Sequence, residues 1–172
     1  AVLSVFSAVP ALANSLLSDF GQKITQRSSV NTFTEVVLEN SSESKDRPDG
    51  LIVIQKGGKT WSALVETKIG KSKIEQDQIE RYLKLASLNY IDALISISNE
   101  FVARSDHHPV NVSKSLLKKV DWFHVSWTAV LTQAILLHEN SLIEDSEQAF
   151  LIRELIRFLS HDSAGVTGYS HM

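Results

Sequence analysis

Hydrophobic positions recur along this chain at two different periods, and the switches between them predict its elements. Near the start, Leu3, Phe6, Ala13, Leu16, Leu17, Phe20 and Ile24 follow helical spacing. This predicts a core-packing helix, broken or kinked at Pro10. The pattern then turns alternating and β-branched from Thr32 to Glu39, a first strand. A polar loop, Asn40 to Arg47, and the turn Pro48-Asp49-Gly50 lead into a short apolar strand, Leu51 to Ile54. Lys56-Gly57-Gly58-Lys59 predicts a hairpin turn into a third strand, Trp61 to Ile69. Helical spacing returns between Ile74 and Asn89, with Ile79, Leu83, Ala86 and Tyr90 on one face. Asp92 to Ser98 is continuously apolar in character, as expected of a strand buried on both sides.

A loop over Asn99 to Val112, a short helix at Ser113 to Lys119 and a fifth strand at Trp122 to Trp127 follow. Two helices close the pattern, Thr128 to His138 and Ser146 to His161, the second opened by an Asp145/Gln148 capping box. Ala164 to Met172 reads as a loosely held tail. The predicted order α-β-β-β-α-β-α-β-α-α describes one α/β domain over residues 1–172, a mixed sheet covered by helices. Its core is residues 1–100; a C-terminal strand and helices occupy 101–163, and the tail 164–172.

Composition narrows the function classes. The 172 residues are 43% hydrophobic and 22% charged, ordinary values for a globular domain, and exclude a disordered or collagen-like chain. With no cysteine, disulfides, zinc–thiolate sites and a thiol nucleophile are excluded, and a cytoplasmic location is the expectation. Ala1 to Ser18 carries no charge, and Ala11-Leu12-Ala13 imitates a leader-cleavage site. No basic segment precedes it, Pro10 interrupts it, and it is too short and too polar to span a bilayer, so a core helix and no membrane association are expected. A first residue other than Met is compatible with a fragment of a longer chain.

The third strand breaks the apolar rule. Glu66 and Lys68 alternate with their neighbours and so share a face of a strand expected to be central. Unpaired charges there would cost several kcal/mol per ion. Asp49 begins the preceding strand, so the hairpin brings it towards Glu66. Two converging carboxylates suit a hard divalent cation, and a lysine beside them can steady an attacking water or negative charge developing on phosphorus. A plain Glu66–Lys68 ion pair beside an ordinary Pro-Asp-Gly turn is the simpler reading of each piece alone.

In this order and context, Pro48-Asp49 followed by Glu66-Thr67-Lys68 resembles the PD-(D/E)xK nuclease superfamily. Gln78 and Tyr82, i and i+4 on the next helix, resemble the Gln-x-x-x-Tyr motif of that superfamily's RecB-nuclease-like branch. The resemblance covers roughly Thr32 to Ser98 and implies a restriction-endonuclease-like core, α-β-β-β-α-β, with extra C-terminal helices. It implies that Asp49, Glu66 and the Thr67 carbonyl hold Mg2+ or Mn2+, that Lys68 is the catalytic lysine, and that Gln78 and Tyr82 shape the site or touch DNA. The implied activity is hydrolysis of DNA in defence, restriction or repair, with RNA an open alternative substrate. The second reading is a nuclease-like fold that binds nucleic acid or a protein without cutting. Many members carry a further acid on the first helix; here Asp19 is that helix's only acid, with Glu35 and Glu39 as strand alternatives.

Other candidates read as structural. His107-His108 belongs to a solvated loop, His124 and His138 are isolated, and Trp61, Trp122 and Trp127 are core residues before they are base-stacking platforms. The last helix presents Phe150, Leu151, Leu155, Phe158 and Leu159 beside Arg153 and Arg157, a core face with a homodimer or accessory DNA contact as its other use. Charge refines the picture last. The net −3 argues against a uniformly basic binder, yet Leu51 to Lys73 holds five lysines against Glu66 alone, net +4. That predicts a phosphate-binding face around the Glu66 strand.

Overall fold

The computed structural model describes residues 2–41, 47–161 and 164–166. Five strands form one mixed sheet in the order β1-β2-β3-β4-β5: β1 (Ser28–Thr34), β2 (Gly50–Lys56), β3 (Lys59–Thr67), β4 (Ala93–Ser98) and β5 (Asp121–Ser126). The first three are antiparallel neighbours, whereas β3, β4 and β5 run parallel. Among the described residues six α-helices flank it: α1 (Val2–Ala8), α2 (Pro10–Leu17), α3 (Gln76–Leu88), α4 (Lys114–Leu117), α5 (Trp127–Glu139) and α6 (Ser146–Leu159).

Strand alternation sorts the core into two layers. Ile52, Ala63, Val65, Ile95 and Ile97 face α1, α2, α5 and α6, while Leu64, Leu94 and Trp122 face α3 and α4. All six residues of β4 are buried, as a strand covered on both faces must be. The predicted N-terminal helix is broken: Pro10 opens α2, and the chain bends by 106° there. Both pieces sit in the core, and among the described residues no single helix is long and apolar enough to cross a membrane.

Several boundaries differ from the sequence pattern for local reasons. β1 begins at Ser28 and ends at Thr34, because Glu35 adopts φ +53 and leaves the strand. The β2–β3 hairpin closes on two residues, with Lys56 opposite Lys59 and Gly57 at φ +60. Tyr90 does not share the buried face of Ile79, Leu83 and Ala86; it lies beyond the end of α3 and is 93% exposed. Trp127 starts α5 rather than ending β5. At α6 the Asp145 carboxylate accepts the Gln148 N–H at 2.9 Å, while Phe150 and Phe158 face solvent and Ile152, Leu155 and Leu159 are buried. Residues 164–166 are not loose: Ala164 is buried, and its carbonyl accepts from Gly70 N–H and Asn99 Nδ2. The rest of the expected tail, together with part of the Asn40–Arg47 loop, lies outside the described residues.

Gly50 is fixed by space. A Cβ there would meet the Leu3 side chain and stand 2.8 Å from the Phe33 carbonyl oxygen. The close approach of β1 and α1 to the start of β2 therefore requires glycine immediately after Asp49. Gly50→Ala is expected to lower unfolding free energy by about 1–3 kcal/mol in denaturant titrations, the usual cost of overpacking.

Candidate active site

The antiparallel register pairs Gly50 with Val65, so the next step places Asp49 opposite Glu66. Glu66 is the register partner of Ser96 on β4, and Ser96 of His124 on β5. Leu64, Leu94 and Trp122 face α3, so two residues on, Glu66, Ser96 and His124 share that face. One row of polar residues thus crosses the sheet at the carboxyl ends of its parallel strands, where open α/β sheets tend to bind ligands.

Each side chain in this row is held. Asp49 Oδ2 accepts from Thr67 N–H at 2.7 Å and from Thr67 Oγ1 at 2.8 Å. Thr67 therefore orients Asp49 with its backbone N–H and hydroxyl. Glu66 is 4% exposed; its Oε1 pairs with Lys68 Nζ at 3.1 Å. Among the described residues its Oε2 is buried with no hydrogen-bond partner, as is Gln78 Oε1. Burial, then the Asp49 charge, push the Glu66 carboxyl above its ordinary value of 4.5, against the opposing pull of Lys68 and of the Asp49 backbone N–H.

Tyr82 and Gln78 stand behind the carboxylates. Tyr82 is buried; its hydroxyl donates to the Arg47 carbonyl at 3.1 Å and receives a long bond of 3.4 Å from Gln78 Nε2. Burial and the nearby Glu66 charge raise the phenol to about 12, so it stays a donor. Through Arg47, Tyr82 fixes the chain two residues ahead of Asp49. The geometry thus brings together all six residues singled out by the sequence, with Gln78 and Tyr82 supporting the site from α3.

The acid outside the motif is a different matter. Asp19 lies in the turn after α2 and lines a groove with Phe20, Arg104 and Phe123 against β5, rather than beside Asp49. Glu35 comes to the rim: its backbone N–H donates to the Asp49 carbonyl at 3.3 Å, with the residue itself exposed. Glu39 is exposed after β1.

The sequence reading missed the other half of the row. Trp122 Nε1 donates to Ser96 Oγ at 2.8 Å, and Ser96 Oγ lies 2.8 Å from His124 Nδ1. His124 Nε2 meets the Glu100 carbonyl at 3.0 Å. One tautomer satisfies this chain: Ser96 donates to Nδ1 and Nε2–H donates to the carbonyl. Burial lowers the His124 pKa, although Glu100 opposes the shift, so the ring is neutral at physiological pH. The Glu100 carboxylate accepts from Ile74 N–H at 2.8 Å, and Asn99 Nδ2 reaches the Gly70 carbonyl at 3.1 Å. The segment following Lys68 is thereby pinned to the ends of β4 and β5. Serines at two alternate positions of a fully buried strand, Ser96 and Ser98, were the available signal. His108 is structural too, stacked on Trp122 and bonded to the Trp122 carbonyl at 2.6 Å.

The chain matches none of the protein-family models and none of the curated proteins against which it was compared.

Proposed function

We propose that the protein is a divalent-metal-dependent nuclease of restriction-endonuclease-like fold that hydrolyses DNA phosphodiester bonds. The observation that carries this reading is Glu66: a buried carboxylate with one oxygen on Lys68 and the other without a hydrogen-bond partner among the described residues, in register with Asp49. A buried carboxylate oxygen without a donor is costly and calls for a partner supplied from outside. A hard cation fits this donor set, two carboxylates with one oxygen each left over from Lys68 and Thr67.

Asp49 and Glu66 would hold Mg2+ or Mn2+, with the Thr67 carbonyl as a third oxygen. When bound, such an ion supplies charge neutralisation at phosphate and lowers the pKa of water. The chain's own contribution is positioning. Thr67 and Tyr82 fix Asp49 from two sides, and Lys68 places an ammonium 3.1 Å from Glu66, beside the space the scissile phosphate would enter. There it stabilises negative charge developing on the phosphate oxygens. Gln78 Oε1, also without a partner among the described residues, can accept a hydrogen bond from substrate or water.

The test is cleavage of linear and plasmid DNA with Mg2+ or Mn2+, with and without chelator. The expected result is chelator-sensitive cleavage, lost in Asp49→Asn. Salt-sensitive DNA binding with no cleavage at any metal concentration would instead establish a non-cutting binding domain on the same fold.

A further inference from the structure

The lysines that the sequence gathers around the Glu66 strand divide between its two ends. Lys68, Lys71 and Lys73 follow β3 on the carboxylate side, whereas Lys56 and Lys59 flank the β2–β3 hairpin. Seven residues separate Lys59 from Glu66 along β3, about 23 Å at ~3.3 Å per residue. At this far end the fold brings in lysines from elsewhere. One groove of about 650 Å3 is lined by Lys118, Lys119, Tyr90, Trp61 and Gln22. A second, of about 580 Å3, is lined by Lys23, Lys56 and Lys59 and shares Trp61 and Gln22 with the first. The two adjoin at Trp61 and Gln22 and make up one trough, five lysines against two acids. All five lysines are exposed, and among the described residues none makes an ion pair. The two acids, Asp92 and Asp121, line the first groove and offset Lys118 and Lys119, so the basic excess lies at Lys23, Lys56 and Lys59; Asp92 accepts the Ser62 N–H at 2.9 Å and keeps its charge.

Tyr90 is an independent observation. The end of α3 is a Schellman motif: Ile91 N–H bonds the Ala86 carbonyl at 2.9 Å and Tyr90 N–H the Ser87 carbonyl at 3.4 Å. The residue between the helix cap Asn89 and Ile91 must be left-handed, and Tyr90 has φ +55. Glycine is the usual choice there, because a bulky side chain is strained in that region. Tyr90 is also 93% exposed, so no packing compensates for it. An aromatic residue whose backbone is held in an unfavourable conformation, in full solvent, on the edge of a lysine-lined trough is suited to contact rather than folding.

We propose that this trough binds single-stranded nucleic acid, the lysines contacting successive phosphates and Tyr90 stacking on a base, with the half-buried Trp61 lining both grooves. The charge selects a polyanion, and the exposed ring selects one that carries aromatic bases. The surface deepens the nuclease reading by giving the enzyme a grip on a strand remote from the cutting site, but its binding does not depend on cleavage.

The experiment is fluorescence anisotropy of a labelled oligothymidylate in EDTA, where no cutting occurs, so that a failed cleavage assay and a failed binding assay are separate results. Wild type is expected to bind with salt-sensitive affinity. Lys59→Glu/Lys119→Glu should weaken binding at least tenfold at low salt while melting like wild type. Tyr90→Gly should bind more weakly, by about fivefold or more, yet melt at higher temperature than wild type. Absence of wild-type binding, or unchanged affinity in the charge-reversed protein, would overturn the proposal. So would a Tyr90→Gly protein that binds as tightly as wild type while inorganic polyphosphate competes as well as the oligonucleotide, which would make the trough a general polyanion surface.

Discussion

Glu66→Gln is expected to lose metal-dependent cleavage and gain stability at the same time. The loss should exceed about 100-fold, the scale of removing one electrostatic element from a preorganised site. The gain follows from burial. Glu66 has a raised folded-state pKa, so what it contributes to stability is fully present below its ordinary value of 4.5 and is lost as pH rises through the raised value. A neutral amide of the same shape avoids that loss. In EDTA, denaturant unfolding should show the variant more stable than wild type at pH 8, by about 1 kcal/mol or more, with the difference shrinking towards pH 5. His124 has the opposite dependence, its lowered pKa making acid destabilising, but it is common to both proteins and cancels in the comparison. A Gln variant less stable than wild type at pH 8 would show that the Glu66–Lys68 pair is a net structural asset.

Lys68→Ala should separate chemistry from folding differently. Cleavage is expected to fall by about 100-fold or more, because the ammonium 3.1 Å from Glu66 is removed from the reacting phosphate's side. Stability at neutral pH should fall by about 1–2 kcal/mol, since Glu66 loses its buried partner; the 22% exposure of the Lys68 side chain keeps this below the cost of breaking a fully buried pair. Lowering the pH should recover much of that loss, as Glu66 then protonates without its counter-ion. Cleavage and unfolding measured on one preparation at two pH values check both halves.

The fold was legible where one face of an element decides its sequence. Apolar runs located β2 to β5, and the helical period located α3, α5 and α6. The carboxylates and Lys68 were legible because charge on a central strand violates the pattern around it. Tyr90 was misplaced because its spacing from Ala86 continues the α3 face, while the helix had already ended at Leu88; only the backbone at φ +55 reveals this. The Ser96–His124 part of the row was hard to place because a strand buried on both faces loses its alternation: the two serines within ALISIS mark an exception to an apolar strand but not the face or the partner they serve. The split of the lysines was hidden for a related reason: neighbours in sequence at Lys59 and Lys68 stand at opposite ends of a nine-residue strand.

The most direct test of the central claim is anomalous diffraction from a crystal of the wild-type protein soaked in Mn2+. A peak is expected between the Asp49 and Glu66 carboxylates, absent in Glu66→Gln. A fully soaked crystal with no peak there, and Glu66 still closed on Lys68, would contradict a metal site at these carboxylates.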